Sequence, residues 1–358
     1  MEKFFKNKKV LITGHTGFKG SWLSLWMSLL GARLYGISLS IPTSPSHFDF
    51  LNLKFEKDIR VDISKSNDIQ KIICDIEPDY IFHLAAQPLV SKSYDDPLFT
   101  FRTNVMGTTN ILDSLRLIKN ECVVVLITSD KSYDNLEISR GYHEEDRLGG
   151  SDPYSGSKGA AELVIRSYVK SFFSKSNVKI GVGRAGNVIG GGDWAENRII
   201  PDAIRSIENK KTLIIRSPNS TRPWQHVLEP LSGYISLAID LKTSIENNGQ
   251  AFNFGPSFEE DYTVQDVLLK LKRKLLKLDW KIEDKEKFNE SKLLKLDCTK
   301  AYRDLNWKST MGFQETIDFT SEWYLKYLNN NKILNMSVKQ IMDFYELAKS
   351  KKIKWALL

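Results

Sequence analysis

Ser129, Asp130 and Lys131 stand in a row after the apolar run Cys122-Val-Val-Val-Leu-Ile-Thr128, and further on the chain reads Tyr154-Ser-Gly-Ser-Lys158. The apolar run has the texture of a buried strand, so the three polar side chains fall where that strand ends. In an open parallel α/β sheet, chemistry gathers beyond the carboxyl ends of strands. Tyr154 and Lys158 are four positions apart, which on a helix puts them on one face, a turn from each other. An ammonium beside a phenol favours the phenolate and lowers its pKa. The tyrosine then becomes a base near neutral pH, with Ser129 placed to hold the same substrate hydroxyl. Oxidation of a hydroxyl is the chemistry these residues predict.

Such a site needs a cofactor platform, and the amino-terminal stretch Val10-Leu-Ile-Thr-Gly14-His-Thr-Gly17-Phe-Lys-Gly20 reads as strand, glycine turn and helix start. Glycine permits the tight turn and lets backbone approach a pyrophosphate, which lies on the helix N-terminus. Gly14, Thr16, Gly17, Phe18 and Lys19 are the candidate contacts. The acid that usually meets the adenosine ribose should end the second strand, yet Ile37-Ser-Leu-Ser-Ile-Pro-Thr43 holds none, nor an arginine for a 2′-phosphate. Ser38 or Ser40 could contact the ribose; NAD is expected, with NADP left open. Asp62, followed by Ile63, suits the adenine amine or merely caps the next helix. His83-Leu84-Ala85-Ala86-Gln87 ends the fourth strand with small residues that let a cofactor lie close. His83 is read as a packed strand histidine. Asn104 either reorganises its helix near the site or lies on the surface.

The first half alternates strand-like runs (Lys9–Thr13, Arg33–Leu39, Ile59–Asp62, Tyr80–Leu84, Cys122–Thr128, Lys179–Arg184) with helical patterns over Phe18–Leu30, Ser66–Ile76, Pro97–Ile118 and Pro153–Ser174. That alternation predicts an α/β fold, a Rossmann-like doubly wound parallel sheet. After Arg184 glycines and prolines break the chain into shorter elements, with helices at Ile200–Glu208, Pro230–Leu241, Thr263–Leu275 and Gly312–Leu328 and strands at Thr212–Ile215 and Gln250–Phe254. The expected division is a cofactor-binding domain over 1–185, a smaller substrate-binding lobe over 186–330, which the first domain can interleave with, and a basic helical tail over 331–358. The tail, helical around Val338–Lys349, is expected to be peripheral with a frayed end.

Charge and cysteines narrow the functional classes. The net charge is +7, and 331–358 carries six lysines and two acids, leaving +3 for the remainder. That mild excess suits an anionic nucleotide ligand and falls short of a nucleic-acid-binding surface. Cys74, Cys122 and Cys298 are too scattered for a disulfide framework or a metal site. No run has the length of a membrane span or signal segment, so a cytoplasmic protein is expected.

The glycine turn, His83-Leu-Ala-Ala and Tyr154-x-x-x-Lys158 resemble the extended short-chain dehydrogenase/reductase family that modifies nucleotide sugars, over about residues 8–330. Gly14-His-Thr-Gly-Phe-Lys-Gly-Ser-Trp22, Thr128-Ser-Asp-Lys131, Arg184-Ala-Gly-Asn-Val-Ile-Gly-Gly-Gly-Asp-Trp194 and Arg222-Pro-Trp-Gln-His-Val227 are similar to its CDP-glucose 4,6-dehydratase branch. The resemblance implies oxidation at the sugar C4 with Tyr154 taking the hydroxyl proton, loss of water across C5 and C6, and reduction at C6. It makes Asp130 the acid for the departing hydroxyl. Lys131 stands where most relatives carry a glutamate base; it is either the C5 base, with a depressed pKa, or an electrostatic holder of the enolate. Gln87, Asn104, Asn187, Arg198, Arg216, Arg222 and His226 are the implied substrate contacts, and Arg184 is a further phosphate candidate. Arg216 has surface placement as its alternative. A CDP-glucose substrate, bound NAD, a homodimer or tetramer and a product bound for surface polysaccharide follow from the same likeness. The rivals are a nucleotide-sugar epimerase of the same fold and a catalytically silent relative binding a partner through the tail.

Overall fold

The fold is given by a computed structural model, which describes residues 1–256, 262–283 and 294–357. Seven parallel strands form one sheet: β1 (Lys9–Thr13), β2 (Arg33–Ser38), β3 (Lys57–Arg60), β4 (Tyr80–His83), β5 (Cys122–Ile127), β6 (Val178–Ala185) and β7 (Ala251–Phe254), in the order β7-β6-β5-β4-β1-β2-β3. A sheet covered on both faces needs strands that are apolar throughout. All six residues of β5 are buried. The pleat sends them alternately to two cores: Val123 and Val125 join Trp22, Phe82 and Leu231, while Val124 and Leu126 join Ile37, Ile69 and Ile165.

Strand order reverses between β1 and β4, opening a crevice at their carboxyl ends, the place for a ligand in this architecture. The helices that flank it are α1 (Phe18–Leu29), α2 (Ser66–Ile76), α3 (Gly107–Leu115) and α4 (Pro153–Tyr168). The helix expected over 97–118 is broken into Pro97–Phe101, a π-helical turn Arg102–Met106 and α3. A second π-turn, Val169–Phe173, ends the helix expected to Ser174.

The second half contributes β7 to the main sheet, so a cut at residue 185 does not separate the strands. Its other pairings are short: Val188–Ile189 with Gln225–His226, and Leu213–Ile215 with Trp280–Ile282. Helices α5 (Ile199–Glu208), α6 (Leu228–Thr243) and α7 (Phe313–Leu328) pack around them.

The tail departs from expectation. Its helix, α8 (Ile333–Ser350), starts earlier than the sequence pattern suggests and buries Met336, Ser337, Ile341, Phe344 and Ala348. Burial of a phenylalanine stabilises by roughly 1.5–3 kcal/mol, and Phe344 also stacks on Trp355, which is itself buried against Trp26 of α1. Ser337 bonds both His47 and Trp323. The segment is therefore docked, with its lysines on the outer face. Among the described residues no helix is long and apolar enough to cross a membrane.

Candidate active site

Beyond β5 the chain makes a 3-10 turn over Asp130–Ser132. Ser129 fixes it: its Oγ accepts from the Lys131 N–H at 3.2 Å and donates to Asp130 Oδ1 at 2.9 Å. The Ser132 hydroxyl closes the turn onto the Ser129 carbonyl at 2.7 Å. Asp130 is buried below Gly186, where a Cβ would come within 2.9 Å of its Oδ2. Burial raises the Asp130 carboxyl above its ordinary range, against Lys131, the Ser129 hydrogen bond and Lys19. It is thus placed to carry a proton.

Helix α4 opens with Pro153 at its first turn and Asp152 as N-cap, accepting from Ser155 N–H at 3.0 Å. This start delivers Tyr154 and Lys158 to the buried side of the helix. Burial pushes the Tyr154 phenol up to about 12, with Ser129 and Arg198 pulling it down. Burial brings the Lys158 ammonium down to about 8, with Glu162 opposing. The direct lowering of the tyrosine by Lys158 expected from their spacing is not what the structure shows. Desolvation outweighs the charges, and Arg198 is the cation acting on the phenol. Arg198 is held by Asp193 through a 2.9 Å bond, and Asp193 in turn accepts Tyr324 OH on its carbonyl.

The cofactor cradle follows from glycine geometry. Gly14 has φ +74, and a Cβ there would lie 2.8 Å from Ala85 N. At Gly20 it would reach 2.1 Å from the Gly14 carbonyl, so α1 packs directly on the turn. The helix starts at Phe18 with Gly17 as N-cap and no side-chain cap, leaving N–H groups at the helix start for an anion. Lys19 lies beside this end, its ammonium brought down to about 8 by burial, with Asp130 opposing. Thr16 donates its hydroxyl to the Ser40 carbonyl. Leu84, Ala85 and Ala86 are half-buried along the β4 end. His83 is packed as read, bonded to Thr13 and Thr108 and held neutral by burial, down to about 3. One Asp62 oxygen accepts Ser64 N–H at 2.8 Å, so this residue does cap the turn before α2. Ile63 is buried, with its carbonyl taken by Asn110.

One feature at the adenosine end was not foreseen. His15, fully buried, bonds Ser38 at 2.9 Å and Asp58 at 2.8 Å, and Arg60 makes two further bonds to Asp58. The glycine turn is thus tied through His15 to Asp58 of β3, which stands in register with Gly36. The sequence signal was Gly36, where a Cβ would come 2.5 Å from the imidazole.

The implied substrate contacts divide. Asn187 and Arg222 line one small cleft together with Asp130, Lys131, Thr221 and Pro223. Arg198 faces Tyr154 from the second half of the chain. Arg216 is exposed after the strand Leu213–Ile215, nearest in charge to Asp202. Four candidates are enclosed or engaged within the fold. His226 is fully buried, its ring against Trp22 and Phe319, and presents no face to the cleft. The Gln87 amide is engaged by Leu89 and Thr100, so it shapes its own loop. Asn104 sits in the π-turn and bonds Gln87 and Ser157, organising its helix near the site as one reading had it. Arg184 is buried and paired with Glu162 at 2.8 Å, far from the role of a phosphate ligand.

With this geometry in hand, known proteins give a consistent picture. The family model GDP-mannose 4,6 dehydratase matches residues 11–320. A curated relative, the CDP-glucose 4,6-dehydratase of Salmonella typhimurium, is 44% identical over 354 residues, covering 96% of this chain and 98% of its own. Among solved structures, an epimerase from Methanothermobacter thermautotrophicus superposes with a TM-score of 0.79 at 22% identity, covering 92% of this chain and 95% of its own. A dTDP-glucose 4,6-dehydratase from Bacillus anthracis, solved in complex with NAD, gives 0.74 at 21% identity, covering 91% and 99%. At those identities the structures speak for the fold.

Proposed function

The chain belongs to the GDP-mannose 4,6-dehydratase family, and on that premise we propose that it is a hydro-lyase converting CDP-glucose to CDP-4-keto-6-deoxyglucose and water, with tightly bound NAD. The substrate is supported by the 44% identity, over nearly both full lengths, to a CDP-glucose 4,6-dehydratase. The reaction class is carried by one observation: a buried carboxyl with a raised pKa, Asp130, directly beside the hydroxyl-handling pair Ser129 and Tyr154. Elimination needs a proton donor for the departing hydroxyl; epimerisation at C4 does not.

The residues present fit a dinucleotide. Two glycines without room for a Cβ and an uncapped helix start make the cradle, in which Gly14, Thr16, Gly17, Phe18 and Lys19 would hold the pyrophosphate. Asp62 and Ile63 would meet the adenine, and Leu84, Ala85 and Ala86 the ribose and ring beyond β4. When bound, NAD would supply a reversible hydride acceptor, the hydride coming from C4 and going back to the sugar at C6.

The chain's own residues do the rest. Ser129 and Tyr154 hold the C4 hydroxyl, and Tyr154 accepts its proton. Lys158 contributes positive charge below its pKa of about 8. Asp130 gives its proton to the 6-hydroxyl as it leaves. Lys131 serves the C5 step, either taking the proton or holding the enolate oxygen. Asn187, Arg198 and Arg222 would anchor the diphosphate, the guanidinium groups by paired hydrogen bonds. Arg216 lies too far toward the surface to join them without help from the substrate's outer end.

CDP-glucose deuterated at C4 tests the whole reading. The expected product is a 4-keto-6-deoxy sugar with the label at C6, read by mass spectrometry and NMR. Unchanged sugar, or inversion at C4 alone, would remove the dehydratase assignment. A homodimer belongs to the same proposal: Leu98 and Met106 of the 97–118 segment and Leu163 and Phe172 of the 153–174 segment are exposed apolar side chains on the two helical stretches that would pair. Light scattering should give twice the chain mass, and a monomer at assay concentration would overturn that part.

A further inference from the structure

We propose that Glu162 is the positioning residue of this active site: its buried carboxylate, locked by Arg184 and Thr128, places a negative charge one helix turn from Lys158 and fixes α4 against the catalytic strand end. The inference rests on the site assigned above and names a residue that this assignment leaves out. Glu162 lies four positions beyond Lys158 on α4, one turn along the same face. Both side chains of the Arg184–Glu162 pair are only 4% exposed. Arg184 binds the carboxylate through two bonds of 2.8 and 2.9 Å. The Thr128 hydroxyl, immediately before Ser129, donates to the same carboxylate at 2.5 Å. One side chain thus ties together the helix carrying Tyr154 and Lys158, the strand end carrying Ser129 and Asp130, and β6.

The network is closed on its far side. Arg184 also donates to Tyr133 OH at 2.8 Å and to the Glu144 carbonyl at 2.9 Å, and Tyr133 OH donates to Asn253 of β7. A buried charge left without such partners would be strongly destabilising; here Glu162 and Arg184 are each bonded.

Around Lys158, β4 presents His83, which burial keeps neutral, and α1 presents Lys19, a second cation. The strand end presents Asp130, whose charge acts on Lys19 and Tyr154. Tyr133 and Glu144 of the loop after Lys131 face Arg184, and burial raises both. Among the described residues, the charge that favours the Lys158 ammonium is Glu162. Without it, desolvation and Lys19 both push that ammonium toward the neutral amine.

The full chain, supplied with NAD, is assayed on CDP-glucose across neutral and alkaline pH. In parallel Lys158 is titrated without substrate, by competitive acetylation read by mass spectrometry. In Glu162→Gln the Lys158 midpoint should fall by about one pH unit, and the alkaline limb of kcat should follow it while KM holds. Glu162→Asp, which keeps the charge, should keep the limb of the parent at a lower rate. Glu162→Gln strands the Arg184 guanidinium, so Glu162→Gln combined with Arg184→Met removes both charges. That double variant should regain the parent melting temperature with its limb still displaced. A merely structural role predicts that stability and limb recover together, and that result overturns the proposal. So does a folded Glu162→Gln protein in which Lys158 titrates as in the parent. If the parent fails to turn over CDP-glucose while the midpoint still falls in Glu162→Gln, the dehydratase reading is lost and the positioning role stands.

Discussion

Lys131→Met should leave oxidation at C4 in place and cut turnover of CDP-glucose by about 10²–10⁴-fold, the usual weight of a positioned acid–base group. The position decides the size of the effect. Lys131 is half-buried at the mouth of the cleft shared with Asn187 and Arg222, and its N–H rests on Ser129. Once C4 is a ketone, removing the C5 proton places negative charge on an enolate. A lysine there either receives that proton or opposes that charge, and a methionine of similar length does neither. The two partial reactions therefore separate. Mixing the variant with substrate should give a single-turnover rise in reduced-nicotinamide absorbance that does not decay, with no keto-deoxy sugar formed. Exchange of the C5 hydrogen with deuterated solvent, which needs proton removal but no loss of water, should collapse together with turnover. A variant with normal turnover would take Lys131 out of the mechanism. Normal exchange with slow turnover would assign it to the departure of the 6-hydroxyl beside Asp130.

What made these residues legible was local. The run Cys122–Ile127 is apolar at every position because β5 has a core on each side, and Tyr154 and Lys158 share a helix face by spacing alone. The glycine turn likewise carried its own geometry, since Gly14 and Gly20 have no room for a side chain. Several placements depended on a partner distant in sequence. Arg184 looked like a phosphate ligand until Glu162 supplied its counter-charge. His226 looked polar and available until Trp22 and Phe319 closed over it. His15 reaches past Gly36 of β2 to Asp58 of β3, a contact no single element foretells. The tail's burial depended on Trp26 and Trp323, which no pattern within 331–358 could reveal. Spacing within one element predicts which residues share a face; which charges cancel is decided between elements.

The same distinction sharpens what to expect of Tyr154. Spacing predicts a phenol lowered by Lys158, whereas burial in the ligand-free chain holds it at about 12. A base must be deprotonated to act, so the rate should rise with pH as the phenolate becomes accessible. Lys158 works in the opposite sense: its pKa is depressed to about 8, so its positive charge is present below that value and lost as pH rises through it. The two limbs predict a rate that climbs from acid pH and levels off above about 8, where loss of the Lys158 charge offsets the gain in phenolate. Tyr154→Phe removes the proposed acceptor and should lower kcat by about 10²–10⁴-fold, with little change in KM, since the proposed diphosphate contacts Arg198 and Arg222 are untouched. The residual rate should also lose its ascending limb, since phenylalanine has nothing to titrate. Lys158→Met should instead abolish the break near 8. If Tyr154→Phe retained the ascending limb at full height, the proton acceptor would lie elsewhere, and Asp130 is the group next to it on the strand end.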